Sequence, residues 1–176
     1  LVTWLFGFLS LNQFADQVSG RIDALYEGTD LGTRLQVAIL DQIAQGEHYL
    51  IEHADNGDEA APFRELGSVV HELRTNFSKV PGLAAAEQMQ LARIEDLHAQ
   101  LEVQYSLAHA LADLGRRGEA VALLESTKPV LDQLREELQE LSAGELAKVA
   151  QAAVAVRRAA TERQPVLLGL LLVTIA

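Results

Sequence analysis

Two short histidine motifs are the places in this chain where residue type and spacing could support chemistry. His71-Glu72 begins like the helical zinc motif H-E-x-x-H, but Thr75 stands where the second histidine ligand is required. Glu95 and His98 have the E-x-x-H spacing of di-iron helical bundles, which also need a second such pair and further carboxylates. No other histidine has a glutamate three residues before it. We therefore predict no metal site, no cofactor and no catalytic residue, and we interpret His98 as an ordinary bundle residue.

A binding site for an anion is the second chemistry that the residues suggest. Gly28 and Gly32 follow Leu25 on the inner stripe of the first predicted helix. Tyr26 and Arg34 lie close to them in the sequence, so the small residues could leave space for an anionic ligand held by Arg34. The alternative, which we favour, is that the glycines permit close helix packing or mark a bend. Tyr26 and Arg34 are thus the candidate ligand-binding residues.

Charge and composition exclude several classes of function. The chain has 14 Lys and Arg against 25 Asp and Glu, which gives a net charge of −11. Because phosphate backbones are bound by clustered cationic side chains, we expect no nucleic-acid partner. The absence of Cys excludes disulfides and thiolate chemistry. Ala, Leu, Glu, Gln and Arg are abundant, and these strong helix formers predict an all-α protein.

Both ends of the chain are apolar and uncharged. Leu1–Leu11 and Pro165–Ala176 contain no Lys, Arg, Asp or Glu, so the whole net charge lies in Gln13–Gln164. Each end is shorter than the roughly 20 residues that a helix needs to cross a bilayer. We predict that residues 1–12 are the end of one transmembrane helix and that residues 165–176 are the start of a second. The alternatives are buried core helices or, for the first end, the apolar part of a signal peptide.

Between the ends, apolar residues recur every three to four positions and predict four helices. The first helix should run to about His53, the second from Pro62 to Val80, the third to Leu114 and the fourth from about Glu119. Turn-forming residues separate these helices at 54–58, Pro81-Gly82 and Gly115–Gly118. We predict an elongated antiparallel four-helix bundle whose two long outer helices continue into the transmembrane segments.

The predicted helix lengths support this bundle. Helices one and three would lead away from the membrane and helices two and four would return to it, and the summed lengths of the two pairs are nearly equal. The short middle helices would pack against only the far part of the long pair, which favours a homodimer near the membrane. Two positions leave helix four open to a break: Pro129 lies inside it, and Ser142–Glu145 reads as a capping box.

One local match favours a different architecture. Ser106–Thr127 follows the tetratricopeptide pattern, with Gly115 at the turn between two short helices. Such repeats need at least three copies to bury a continuous core, and no second copy appears one period away. A helical protein-interaction scaffold is therefore the alternative to the bundle.

The predicted order of a transmembrane span, a helical bundle and a second span resembles a known class. It is similar to the extracytoplasmic four-helix-bundle sensor domain of bacterial transmembrane receptors, the sensor histidine kinases and methyl-accepting chemoreceptors. Leu11–Val18, which continues from the first apolar end, resembles their membrane-exit helix. The resemblance implies a homodimer in the bacterial cytoplasmic membrane, with residues 13–164 extracytoplasmic and an output module in the cytoplasm.

The expected function is therefore signal input rather than catalysis by this chain. The domain would pass an extracytoplasmic stimulus, a small molecule or a periplasmic protein, to a two-component histidine kinase. A chemotaxis receptor is the alternative output. Arg157, Arg158 and Arg163 precede the second apolar end and count against this orientation, because basic residues favour the cytoplasmic side.

Overall fold

The computed structural model describes the backbone of residues 2–52 and 61–175 and the side chains of residues 20, 22–50 and 61–158. Four α-helices make up the regular structure of these residues: α1 Val2–Glu52, α2 Ala61–Phe77, α3 Ala85–Asp113 and α4 Arg117–Ile175. The described part of the chain contains no strand, so the predicted all-α class is confirmed. The turn predicted at 54–58 lies outside the described residues.

Contacts along α1 give the direction of its neighbours. Gly46 lies against Phe63 at the start of α2, whereas Gly28 lies against Phe77 at the end of α2. Helices α1 and α2 are therefore antiparallel. The most extensive contacts pair α1 with α2 and α3 with α4, and α1 also packs along α4. The predicted antiparallel four-helix bundle is confirmed.

Helix α2 ends earlier than predicted. It stops at Phe77, and the amide of Val80 donates to the carbonyl of Phe77 (3.0 Å) in the turn that follows. Pro81 disfavours helical backbone at the residue before it, and Gly82 adopts φ +85°, which a residue with a Cβ would resist. Val80 is nevertheless buried, so its apolar character reflects packing by the loop rather than by the helix.

Helix α4 continues through both positions at which the sequence indicates a break. The hydroxyls of Ser126 and Thr127 donate to the carbonyls of Leu123 and Leu124 in the turn before Pro129. Such bonds to the preceding turn often accompany a bend in a helix, as does a proline, and neither ends α4. Ser142 is not a helix cap, because its hydroxyl donates to Gln36 Oε1 of α1 (2.8 Å).

One main core runs between the four helices and fixes their register. Each fully buried aliphatic or aromatic side chain contributes about 1.5–3 kcal/mol. The core residues include Leu35, Ile39 and Ile43 of α1, Phe63, Val70, Leu73 and Phe77 of α2, Leu91, Ile94, Leu101 and Tyr105 of α3, and Leu131, Leu134, Leu138 and Leu141 of α4.

The two long helices extend past the short pair at one end of the bundle. α1 has 51 residues and α4 has 59, against 17 for α2 and 29 for α3. No described side chain of α4 beyond Glu145 is buried, and neither is any described side chain of α1 before Gly28. We call this part of α1 and α4 the stalk.

The backbones of α1 and α4 run without a break into the uncharged ends of the chain. Within the residues that the structure describes, no helix carries an apolar stretch long enough to span a membrane.

Candidate functional site

The stalk meets the four-helix region at a close contact between α1, α2 and α4. A Cβ on Gly28 would lie 2.8 Å from Glu145 Oε2, and one on Gly32 would lie 3.8 Å from the ring of Phe77. The absence of a side chain at Gly28 therefore lets the Glu145 carboxylate pack onto the backbone of α1, whereas a Cβ at Gly32 would make an ordinary van der Waals contact with Phe77. We call Gly28, Gly32, Phe77 and Glu145 the α1–α4 joint.

A shared cation ties the joint to α3. Lys148 Nζ donates to Glu145 Oε1 (2.8 Å) and forms a second ion pair with Glu87 at the start of α3. Burial opposes the charged form of Lys148, but the two carboxylates outweigh it and raise the pKa of Lys148. Burial likewise disfavours the Glu87 carboxylate, yet Lys148 and the backbone amide of Ala84 lower its pKa. One lysine thus holds α3 and α4 together beside α1.

A small cleft opens beside this cluster. Its volume is about 260 Å³, and its walls come from α1, from the loop between α2 and α3, and from α4. Leu25, Val80 and Leu83 form apolar walls, and Glu145 and Lys148 supply the polar groups. A molecule bound there would touch both long helices.

The candidate ligand residues Tyr26 and Arg34 lie on the outer face of α1. Tyr26 is 67% exposed, and Arg34 Nη1 lies 3.5 Å from Asp30 Oδ2 across one helical turn. The structure does not bring these side chains to Gly28 and Gly32, whose free side is taken by the joint. Ligand binding at Tyr26 and Arg34 stays a prediction.

A buried polar layer crosses the middle of the bundle. The side chain of Gln42 on α1 bridges two groups of α3: its oxygen accepts from His98 Nε2 (2.7 Å) and its nitrogen donates to Glu102 Oε1 (2.8 Å). Gly67 of α2 leaves room for this bridge, because a Cβ there would lie 2.6 Å from Glu102 Oε1. Burial lowers the pKa of His98 and Arg74 lowers it further, against the opposing effect of Glu102. His98 therefore favours its neutral form.

The di-iron spacing of Glu95 and His98 does not form a shared site. Glu95 pairs with Arg74 of α2, whereas His98 binds Gln42. Among the described residues there is no group of three or more His, Asp or Glu side chains that could hold a metal ion.

An aromatic cluster closes the end of the bundle away from the stalk. His109 Nε2 donates to the carbonyl of Gly46 (3.0 Å), and the His109 ring packs on Tyr49 and Phe63 with centroid distances of 4.3 and 5.2 Å. The hydroxyl of Tyr105 donates to Glu47 Oε1 (3.3 Å), and burial of that hydroxyl raises its pKa. These rings fix the far ends of α1, α2 and α3 against one another.

Sequence reasoning missed Gln42 and Glu145 as core residues. Both continue the heptad spacing of apolar neighbours: Gln42 follows Leu35 and Ile39 at steps of four and three, and Glu145 follows Leu141 by four. A polar residue in a buried register is the signal that could have identified them.

No protein-family model matches this chain, and no curated protein matches it either. The structure is similar to a solved structure described as the periplasmic sensor domain of a sensor histidine kinase. The two are 13% identical in sequence, with a TM-score of 0.69, and the match covers 80% of this chain and 95% of the other. At this identity the likeness establishes the fold. The four helices of this chain are therefore arranged as in that solved domain, and the fold agrees with the resemblance noted from the sequence.

Proposed function

We propose that this chain is the extracytoplasmic signal-input domain of a bacterial membrane receptor. The observation that carries the proposal is the shape of the stalk: α1 and α4 leave the four-helix region together and continue unbroken into uncharged ends. Two helices that leave a bundle side by side can transmit a change in the bundle as a change in their relative position.

The proposed places of the segments follow from charge. Residues 1–12 and 165–176, which carry no charge, lie in the cytoplasmic membrane, and residues 13–164 lie outside it. Among the described stalk side chains none is buried, and Lys148 reaches α3 only at its start, through Glu87, so a homodimer would cover the stalk. The periplasmic origin of the similar structure supports the same location.

The α1–α4 joint is the proposed point of coupling. Glu145 is only 3% exposed and its carboxylate lies against the backbone of Gly28, so rotation or sliding of α4 against α1 would break this contact and the ion pair between Lys148 and Glu87 of α3. Packed interfaces of this kind shift between discrete arrangements rather than deforming continuously. A stimulus in the four-helix region would thus shift α1 and α4 of the stalk from one discrete relative position to another.

The proposed output is a two-component histidine kinase, because the similar structure belongs to one. A chemotaxis receptor is the second candidate, since it would use the same two-helix stalk. The helix lengths of 51 and 59 residues do not match the short helix pairs of a tetratricopeptide scaffold.

A disulfide across the stalk tests this function. Ala24 and Val149 each lie one turn toward the membrane from Gly28 and Glu145, and both are half-buried. Oxidation of full-length Ala24→Cys/Val149→Cys in membranes should change autophosphorylation from ATP by about fivefold or more, the lower end of usual allosteric coupling, and reduction should reverse the change.

The matched control is Asp23→Cys/Ala150→Cys, whose residues are exposed and point away from the contact. It should neither cross-link efficiently nor alter output. A complete Ala24–Val149 disulfide that leaves autophosphorylation unchanged would rule out transmission through the stalk.

A further inference from the structure

The last charged turns of α4 are basic, in contrast to the rest of the domain. Residues 157–164 contain three basic side chains and one carboxylate, a net charge of +2. Residues 23–156 contain 10 basic and 23 acidic side chains, a net charge of −13. Signal input alone does not account for this reversal of charge beside the uncharged end. The three basic residues are Arg157, Arg158 and Arg163.

The two arginine side chains that the structure describes in this segment project away from the stalk. Arg157 and Arg158 are exposed, whereas Val149 is half-buried. Arg158 follows Val149 by nine positions, which corresponds to about 900° around a helix, so it lies on the opposite face of α4. Arg157 lies about 100° from Arg158, so the two side chains cover adjoining sides of the helix.

The distance of these arginines from the uncharged end matches the headgroup layer of a bilayer. This step rests on the proposed function, in which residues 165–176 enter the membrane. Arg163 stands two residues before that segment, and Arg157 and Arg158 stand eight and seven residues before it. These separations are about 3 Å and about 10–12 Å along the helix. Headgroups add about 5–8 Å to each side of the hydrocarbon core, so Arg163 would lie within them and the long side chains of Arg157 and Arg158 would extend toward them.

We propose that Arg157, Arg158 and Arg163 bind the phosphate of an anionic phospholipid headgroup. Guanidinium groups bind phosphate through paired, charge-assisted hydrogen bonds. Arg157 and Arg158 also interact within the chain, but a guanidinium has five N–H donors, and a single contact leaves further donors for a phosphate.

The net charge of the region favours an anionic lipid over a zwitterionic one. The last charged part of α1, residues 13–22, contains one Asp and one Arg and therefore does not cancel the charge of +2 on residues 157–164. Basic residues next to a membrane are attracted to anionic lipids, each by about fivefold in affinity. A bound headgroup would fix the depth of α4 in the membrane.

Native mass spectrometry of the full-length protein in neutral detergent measures this binding, because each bound lipid adds its mass. The wild type should bind phosphatidylglycerol about tenfold or more tightly than zwitterionic phosphatidylcholine, as expected for hydrogen bonds to a charged group. Arg157→Gln/Arg158→Gln should weaken phosphatidylglycerol binding by about fivefold or more and leave phosphatidylcholine binding unchanged.

Arg116→Gln/Arg117→Gln is the matched control. It also neutralises two adjacent, exposed arginines, but at the turn between α3 and α4, away from the stalk. This variant should bind phosphatidylglycerol as the wild type does. Glycerophosphoglycerol, the same headgroup without acyl chains, distinguishes a lipid site from a site for a soluble phosphodiester, and an excess of it should leave phosphatidylglycerol bound.

Three results would overturn the proposal. These are equal binding of the two lipids by the wild type, equal phosphatidylglycerol affinity in the two double variants, and displacement of phosphatidylglycerol by glycerophosphoglycerol. The assay in detergent measures lipid binding alone. Its outcome is therefore separate from the effect of the Ala24–Val149 disulfide on output, which tests the proposed function.

Discussion

Gly28 and Gly46 on α1 allow side chains of α4 and α3 to approach its backbone closely. The sequence allowed two interpretations of Gly28 and Gly32, a ligand space or close packing, and the structure fills their open side with Phe77 and Glu145. Which side chains would do so was not predictable, because they lie far away in the sequence and meet α1 only when the bundle forms.

Gly46 offers a sharp test of this packing. A Cβ there would lie 2.5 Å from Tyr105 Cδ1 and 3.2 Å from Phe63 Cδ2, and neither ring can move within the core. Gly46→Ala should therefore lower the free energy of unfolding by about 1–3 kcal/mol, as overpacking does.

The matched control is Gly20→Ala, where nothing lies within 4 Å of the new Cβ. This change should raise stability by up to about 1 kcal/mol through helix propensity. Urea unfolding of the purified protein measures both. Equal effects of the two substitutions would contradict the close approach of α1 and α3.

His98 predicts a dependence of stability on pH. Its pKa is lowered in the folded state by burial and by Arg74, with Glu102 opposing, so the unfolded chain takes up the proton more readily. The stabilisation is therefore present above the ordinary histidine pKa of about 6.5 and is lost as the pH falls through the folded-state value. One histidine contributes at most about 1.4 kcal/mol per pH unit to this slope.

His98→Gln should reduce the loss of stability between about pH 6.5 and 5, since one group no longer titrates. The wild-type protein, unfolded in the same buffers, is the reference for this slope. Thermal unfolding across this pH range provides the measurement. An unchanged slope in His98→Gln would mean that the layer of Gln42, His98 and Glu102 is not the acid-sensitive part of the core.

Among the helices, α4 shows where local signals and packing disagree. Pro129 and Ser142 both indicate a break, yet Leu131, Leu134, Leu138 and Leu141 are buried in one continuous register. Burial of this stripe outweighs the cost of one proline, about 3 kcal/mol. The number and order of the helices were predictable from periodicity, whereas the continuity of α4 depended on contacts with α1 and α3.

Removing the proline should therefore stabilise the protein. Pro129 is exposed, so Pro129→Ala restores a helix-compatible residue without touching the core and should raise the free energy of unfolding by about 1–3 kcal/mol. Pro62→Ala, in the first turn of α2 where proline is tolerated, should change it by less than about 1 kcal/mol. Destabilisation by Pro129→Ala in a chemical unfolding experiment would contradict a continuous α4.

For the whole molecule, length and charge act together. Helices α1 and α4 extend beyond α2 and α3, and the segments at their far ends carry no charge. This layout could be predicted from the sequence, because helix lengths and the distribution of charge do not depend on which helices contact each other. The joint, the polar layer and the aromatic cluster could not, because each combines residues from three helices.

We propose that the bundle lies outside a membrane in which both of its ends are embedded. Ser68, exposed on α2, is a suitable labelling site in a chain without Cys. In intact cells, a membrane-impermeant maleimide should label full-length Ser68→Cys, with other cysteines replaced, and the labelled protein should stay in the membrane fraction after alkaline carbonate washing. Labelling that requires cell lysis, or release of the protein by carbonate, would contradict the account.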